Sequence, residues 1–155
     1  MTDLMDDPHA EQRAAVVLEA LGWLGTPYHH HGRIKGVGVD CAQILCAVFE
    51  ACGRVPHIEL GNYPRDWHLH HSEELYMGWL ARVGARRVEA PGLGDIALFQ
   101  FARCFSHGSI VVAADAVLHS YLGHGVHVSR FTEAPLAGRE VQYWSIWPAL
   151  EGVAA

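Results

Sequence analysis

A cysteine stands behind a glycine-rich approach in Gly36-Val37-Gly38-Val39-Asp40-Cys41, and an apolar run from Ala42 to Phe49 follows it. The pattern predicts a thiol on the first turn of a buried helix. Unsatisfied N–H groups and partial positive charge collect at such a terminus, where the pKa of a cysteine falls toward the nucleophilic thiolate. A thiolate needs an imidazole to hold its proton, a polar group to orient that imidazole, and donors for an oxyanion. His107 in Ser106-His107-Gly108 and His119 in Leu118-His119-Ser120 are of the right types for the imidazole and its orienter, and a tyrosine-bearing loop, Gly25-Thr26-Pro27-Tyr28, stands upstream. Such a set does acyl transfer through a thioester.

The elements that must position these residues divide the chain in two. Asp7-Pro8 reads as a helix start, with a capping carboxylate before a first-position proline. Val16, Val17, Leu18, Leu21 and Leu24 then recur with helical spacing until Gly25-Thr26-Pro27. A loop follows from Tyr28 to Val39. The helix opened by Asp40 carries Ile44, Leu45, Val48 and Phe49 to a stop at Gly53, and is apolar enough to lie centrally. Pro56, Gly61, Asn62 and Pro64 mark residues 54–71 as irregular, and Ser72 caps a short helix from Glu73 to Val83. Beyond Asp95 the period changes to that of strands: Ile96–Phe101, His107–Ala113, Ala116–Tyr121, Gly125–Arg130 and Glu140–Trp147. Helices first and an antiparallel meander second make an α+β domain, with N-terminal helices packed on one side of a C-terminal antiparallel sheet.

Side chains alternate faces along a strand, so adjacent strands bring two residues together only in the right register. A loop centred on Asp115 puts His107 and His119 on one face but diagonally, and a bulge or strong twist has to bring them together. His127, one strand further on, is the rival partner for His107.

Composition limits the alternatives. The chain has 155 residues, 50% hydrophobic and 18% charged, which is one globular domain. Its net charge of −6 argues against nucleic acid or an anionic membrane as a partner, and Arg82, Arg86 and Arg87 read as a solvated face. No apolar run reaches membrane-spanning length. Met1-Thr2-Asp3-Leu4-Met5-Asp6-Asp7 is acidic where a secretory signal is basic, so synthesis in the cytoplasm as a soluble chain is expected, with any action outside depending on another means of export. Cys41, Cys46, Cys52 and Cys104 form no C-x-x-C pair. Cys46 and Cys52 read as small buried hydrophobes and Cys104 as a loop thiol. His29-His30-His31 and His68-Leu69-His70-His71 are rich in imidazole, but a loop beside the site is the simpler account, and no metal or cofactor is assigned.

The blocks Gly25-Thr26-Pro27-Tyr28, Gly38-Val39-Asp40-Cys41, Gly94-Asp95-Ile96-Ala97-Leu98-Phe99, Ser106-His107-Gly108-Ser109-Ile110-Val111 and Val117-Leu118-His119-Ser120 resemble, in order and spacing, the NlpC-type papain-like cell-wall cysteine peptidases. Tyr63-Pro64-Arg65-Asp66-Trp67-His68 resembles their phage-tail branch. The resemblance runs from Thr26 to about Ser120. It implies a papain-like fold with Cys41 as nucleophile, His107 as base and His119 as orienter. Tyr28 then lies near the oxyanion and substrate, and Asp40 meets the free amine of a peptide stem, although Asp40 alone also reads as a helix cap. The family commonly has Ser-Gly after the nucleophile, where this chain has Ala42-Gln43. The function implied is a cysteine endopeptidase acting on peptidoglycan stem peptides, carried in a phage tail among tail proteins and working at the cell wall. The alternatives are a structural tail component with a vestigial site, or an amidase or acyltransferase on the same fold.

Overall fold

A computed structural model describes residues 7–64 and 75–149. Met1 to Asp6, the Ser72 cap, Trp67 and His68 to His71 lie outside the described residues.

Helix α1 (Ala10–Leu21) begins behind Asp7, whose carboxylate accepts the His9 N–H at 2.8 Å and whose carbonyl accepts the Ala10 N–H at 3.1 Å. Its buried face carries Arg13, Val16 and Ala20. The residues after it form a small hairpin, β1 (Arg33–Ile34) with β2 (Gly38–Val39), where the sequence reads as loop. Helix α2 (Gln43–Ala51) buries Ile44, Leu45, Val48 and Phe49. Each of these large apolar side chains contributes about 1.5–3 kcal/mol on full burial, which fixes the helix against the sheet. Helix α3 (Leu75–Arg82) buries Tyr76 and Leu80.

The remaining elements are strands β3 (Arg86–Val88), β4 (Ile96–Phe101), β5 (Cys104–Ala113), β6 (Ala116–Tyr121), β7 (Gly125–Arg130) and β8 (Val141–Ser145). They make one antiparallel sheet in the order β3-β8-β4-β5-β6-β7. This is the α+β architecture expected, with one difference: only β4 to β7 run as a meander. Strand β8 returns across the sheet to pair with β4, and its outer edge takes β3, which contains two of the three arginines read as a solvated face. Cys104 is fully buried at the start of β5 rather than a loop thiol, because β5 begins three residues before the expected strand. Cys46 and Cys52 are only partly buried against the core.

Alternation along the strands builds two cores. Ile96, Leu98, Ile110 and Leu118 meet the helices, while Ala97, Phe99, Val111 and Val117 face the other way and are covered by Leu136. Two irregularities interrupt β5. Phe99 pairs with His107 but Gln100 with Phe105, leaving Ser106 as an extra residue; Val111 pairs with Val117 but Ala113 with Ala116, leaving Val112 as another. Both bulges bear on the site.

Candidate active site

The Gly25–Tyr28 segment is held by the end of β7. Gly25 N–H donates to the Val126 carbonyl at 3.1 Å, and Val126 N–H donates to that of Thr26 at 2.9 Å. The approach is close enough that a β-carbon on Gly125, whose φ is +67°, would lie 2.6 Å from the Thr26 oxygen. Only glycine suits that position, for its backbone angle as well as its size. Tyr28 bridges to Val39 in parallel fashion, so the tyrosine loop and the approach to Cys41 are tied together. The Ser120 hydroxyl, reaching over from β6, donates to the Val39 carbonyl at 2.7 Å.

Asp40 is 1% exposed and its carboxylate is occupied by protein donors. Oδ1 accepts the N–H groups of Ala42 at 3.0 Å and Gln43 at 2.8 Å, which is the capping geometry for α2. Oδ2 accepts the His31 N–H at 2.9 Å and the Tyr63 hydroxyl at 2.5 Å, with the His30 ring 3.8 Å away. Gln43 donates to the same Tyr63 oxygen at 3.3 Å. The carboxylate therefore closes the His30–His31 turn onto the start of the helix. It still lines the cavity described below.

Cys41 lies two residues before α2, in the turn that leads into it rather than on the helix's first turn. It is partly exposed, with its thiol donating to the Ser106 carbonyl at 3.7 Å. Burial, and next the Asp40 carboxylate, push that thiol up to about 12, opposed by bonds from the Gly108 backbone, the Tyr76 hydroxyl and the Cys41 backbone. The expectation of a thiol ionised by its helix terminus is thus reversed in the free protein. The reason is that desolvation and a carboxylate one residue away outweigh the donors around the sulfur. Those donors form a receptive pocket for the thiolate once a proton acceptor removes the thiol hydrogen.

Tyr76 was not signalled by the sequence motifs. Its hydroxyl donates to the Cys41 carbonyl at 2.7 Å and also reaches the sulfur. Gly108 makes this possible: a β-carbon there would overlap the tyrosine hydroxyl and lie 2.6 Å from Cζ. The space that Gly108 leaves beside His107 is filled by a tyrosine from α3.

His107 and His119 meet directly. Nε2 of His107 lies 2.7 Å from Nδ1 of His119, with the rings nearly perpendicular at 84°. The bulge at Val112 explains the contact. A loop centred on Asp115 would set Val111 opposite His119, whereas the pairs Ile110–Leu118 and Val111–Val117 set Ser109 there by continuation. His107 is then one same-face step along β5, within reach of a diagonal contact. His127 is the direct neighbour of His119 across β6 and β7, and its Nδ1 bonds the Gly125 carbonyl at 3.0 Å. Nε2 of His119 bonds the Ser129 hydroxyl at 2.8 Å. Burial first, and then the proximity of His127 and His124, lower the His119 pKa to about 3, so it is a neutral imidazole at physiological pH.

Tyr28, Asp40, Cys41 and His107 all line one cavity of about 240 Å³, together with Tyr63 and Tyr121. His119 stands behind His107, buried. Among the described residues no group of three or more His, Cys, Asp or Glu side chains is placed to hold a metal ion, and no described helix is long and apolar enough to cross a membrane. A thiol, an imidazole backed by a neutral hydrogen-bond partner, and hydroxyl and N–H donors around one cavity are the components of nucleophilic thiol chemistry.

The sequence matches no family model and no curated protein. Its fold is similar to the NlpC/p60 domain of the peptidoglycan hydrolase SagA, with a TM-score of 0.55 and 19% identity over 84% of this chain and 96% of that one. It is similar also to a lipoprotein-like protein of the NLP/P60 family from Staphylococcus aureus, with a TM-score of 0.55 and 17% identity over 85% of this chain. The chain corresponds to 41% of that second structure's length. The likeness establishes a papain-like NlpC/p60 architecture of helices packed on an antiparallel sheet.

Proposed function

We propose that the protein is a cysteine hydrolase that cleaves an amide bond in peptidoglycan stem peptides. The observation that carries this reading is the shared cavity of Cys41 and His107, with His119 bonded to the far nitrogen of His107 at 2.7 Å. In the reaction, Sγ of Cys41 attacks the scissile carbonyl carbon while the thiol proton passes to Nδ1 of His107. The imidazolium so formed keeps its Nε2–H on Nδ1 of His119. The tetrahedral oxyanion accepts the Cys41 N–H, with Tyr28 lining the same cavity. Collapse breaks the C–N bond, His107 returns the proton to the leaving amine, and water then hydrolyses the thioester.

The high resting pKa of the thiol makes this a general-base mechanism rather than attack by a preformed thiolate. The stem-peptide substrate draws on the fold's likeness to a peptidoglycan hydrolase domain and on the sequence blocks around Cys41 and His107. The phage-tail setting draws on the sequence from Tyr63 to His68 alone. The test is hydrolysis of purified muropeptides by the wild type and by Cys41→Ala, with products identified by mass. Loss of cleavage with the fold retained is expected. Cleavage at the wild-type rate by Cys41→Ala overturns the reading.

A further inference from the structure

The chain of hydrogen bonds behind the imidazole does not end at His119. Its Nδ1 is bonded to His107 and its Nε2 to the Ser129 hydroxyl, at 2.7 and 2.8 Å. Both His119 and Ser129 are buried, at 0% and 3% exposure. A neutral imidazole carries one N–H, so it donates through one nitrogen and accepts through the other. His119 is held neutral by its burial and by its histidine neighbours. The proton positions along Ser129, His119 and His107 are consequently correlated, and two arrangements exist.

In one, Ser129 donates to Nε2 of His119. His119 then carries its proton on Nδ1 and donates to Nε2 of His107, whose own proton must sit on Nδ1. That nitrogen is then unable to take a proton from the thiol. In the other, Ser129 accepts from Nε2–H of His119, and the bare Nδ1 of His119 accepts from Nε2–H of His107. Nδ1 of His107 is left bare. Only the second arrangement yields a base, and only the second can stabilise the imidazolium, which must donate from Nε2.

We propose that Ser129 is a positioning residue whose hydroxyl, by accepting the Nε2–H of His119, fixes the tautomer of His119 and through it keeps Nδ1 of His107 unprotonated, in the form that takes up the thiol proton. Strand register places it there: Ser129 pairs with Val117 and His119 with His127, so Ser129 and His119 stand one same-face step apart on β7 and β6. The second nitrogen of a working histidine is commonly set by such an outer partner, and removing it lowers activity without touching substrate. The kinetic consequence rests on the hydrolase reading; the tautomer does not.

The experiment reads both. Long-range proton–nitrogen correlation on 15N-labelled protein at neutral pH should show His119 protonated on Nε2 and bare on Nδ1 in the wild type. In Ser129→Ala the Nδ1–H form should become populated. On muropeptides, Ser129→Ala should lower kcat on the order of ten-fold with KM unchanged, and Ser129→Thr, which keeps the hydroxyl, should recover most of it. In a His119→Gln background, where the side-chain carbonyl can only accept, adding Ser129→Ala should change kcat little. Wild-type His119 protonated on Nδ1, an unchanged tautomer in Ser129→Ala, or an equal loss in both backgrounds overturns the proposal. Should Cys41→Ala cleave as fast as the wild type, the hydrolase reading fails, and the wild-type tautomer still decides the role of Ser129.

Discussion

Nε2 of His107 and Nδ1 of His119 are 2.7 Å apart because a bulge at Val112 advances β6 against β5. The contact makes His119, not His127, the partner of the imidazole that lines the cavity. His119→Ala should lower kcat by about 10–100-fold while retaining activity, since an orienting residue contributes less than the base it serves. His119→Gln should recover part of the loss by offering a carbonyl to His107 Nε2–H. His127→Ala should change kcat little, because its Nδ1 bonds the Gly125 carbonyl. Steady-state kinetics on the three variants check this, and a silent His119→Ala beside a damaging His127→Ala would reverse the assignment.

How much of this arrangement was legible in sequence follows from the range of the interactions. Strands β4, β6 and β7 coincide with their period-2 runs, and the apolar face of α2 is a local pattern, whereas α1 starts at Ala10 behind His9, with no side-chain cap, rather than at Asp7-Pro8. The β8–β4 pairing was not legible, because a meander and a crossover place the same residues in the same strand. The bulge at Val112 was anticipated as a need, not as a position. Tyr76 and Ser129 escaped because each acts through a partner far away in sequence or on another strand. The glycine beside His107 is the one visible trace of Tyr76 in the sequence.

Tyr76 joins the nucleophile to α3 through one hydrogen, at rest on the Cys41 carbonyl. When the thiol ionises, the same hydroxyl is within reach of the sulfur, so it helps carry the developing charge. Tyr76→Phe should lower kcat more than it raises KM, and should move the pH dependence of Cys41 alkylation to still higher pH. Gly108→Ala forces a β-carbon into the tyrosine ring and should cost about 1–3 kcal/mol of stability by overpacking. Alkylation rates against pH and urea unfolding check the two variants. An alkylation profile unchanged in Tyr76→Phe would remove the hydroxyl from the thiolate's surroundings.

Asp40 has two separable effects. Its carboxylate accepts four protein donors, so Asp40→Asn, which turns one oxygen into a donor, should destabilise by about 1–3 kcal/mol. The same charge raises the Cys41 pKa, so removing it should make the thiol easier to ionise. Alkylation of Cys41 in Asp40→Asn should therefore rise at lower pH than in the wild type, whose rate should keep climbing above pH 9, the ordinary thiol value, toward about 12. Wild-type alkylation that levels off near neutral pH would show the thiolate already formed at rest.

His119 also sets how the fold responds to acid. Its folded pKa of about 3 lies below the ordinary 6.5, so the unfolded chain binds a proton in a range where the folded chain does not. The stability it contributes is fully present above pH 6.5 and is lost as pH falls through the window down to about 3. Within that window a single proton changes stability by up to about 1.4 kcal/mol per pH unit. Carboxylates titrate in the lower half of the same range, so the comparison that isolates His119 is with His119→Gln, which has no proton to gain. Urea unfolding of both proteins at pH 7, 6 and 5 should show the wild type losing more stability than the variant between pH 6 and 5. Parallel losses would mean that His119 becomes protonated in the folded protein near its ordinary pKa. A cationic His119 carries N–H on both nitrogens and cannot accept from His107, so that outcome would also remove it as the acceptor behind the base.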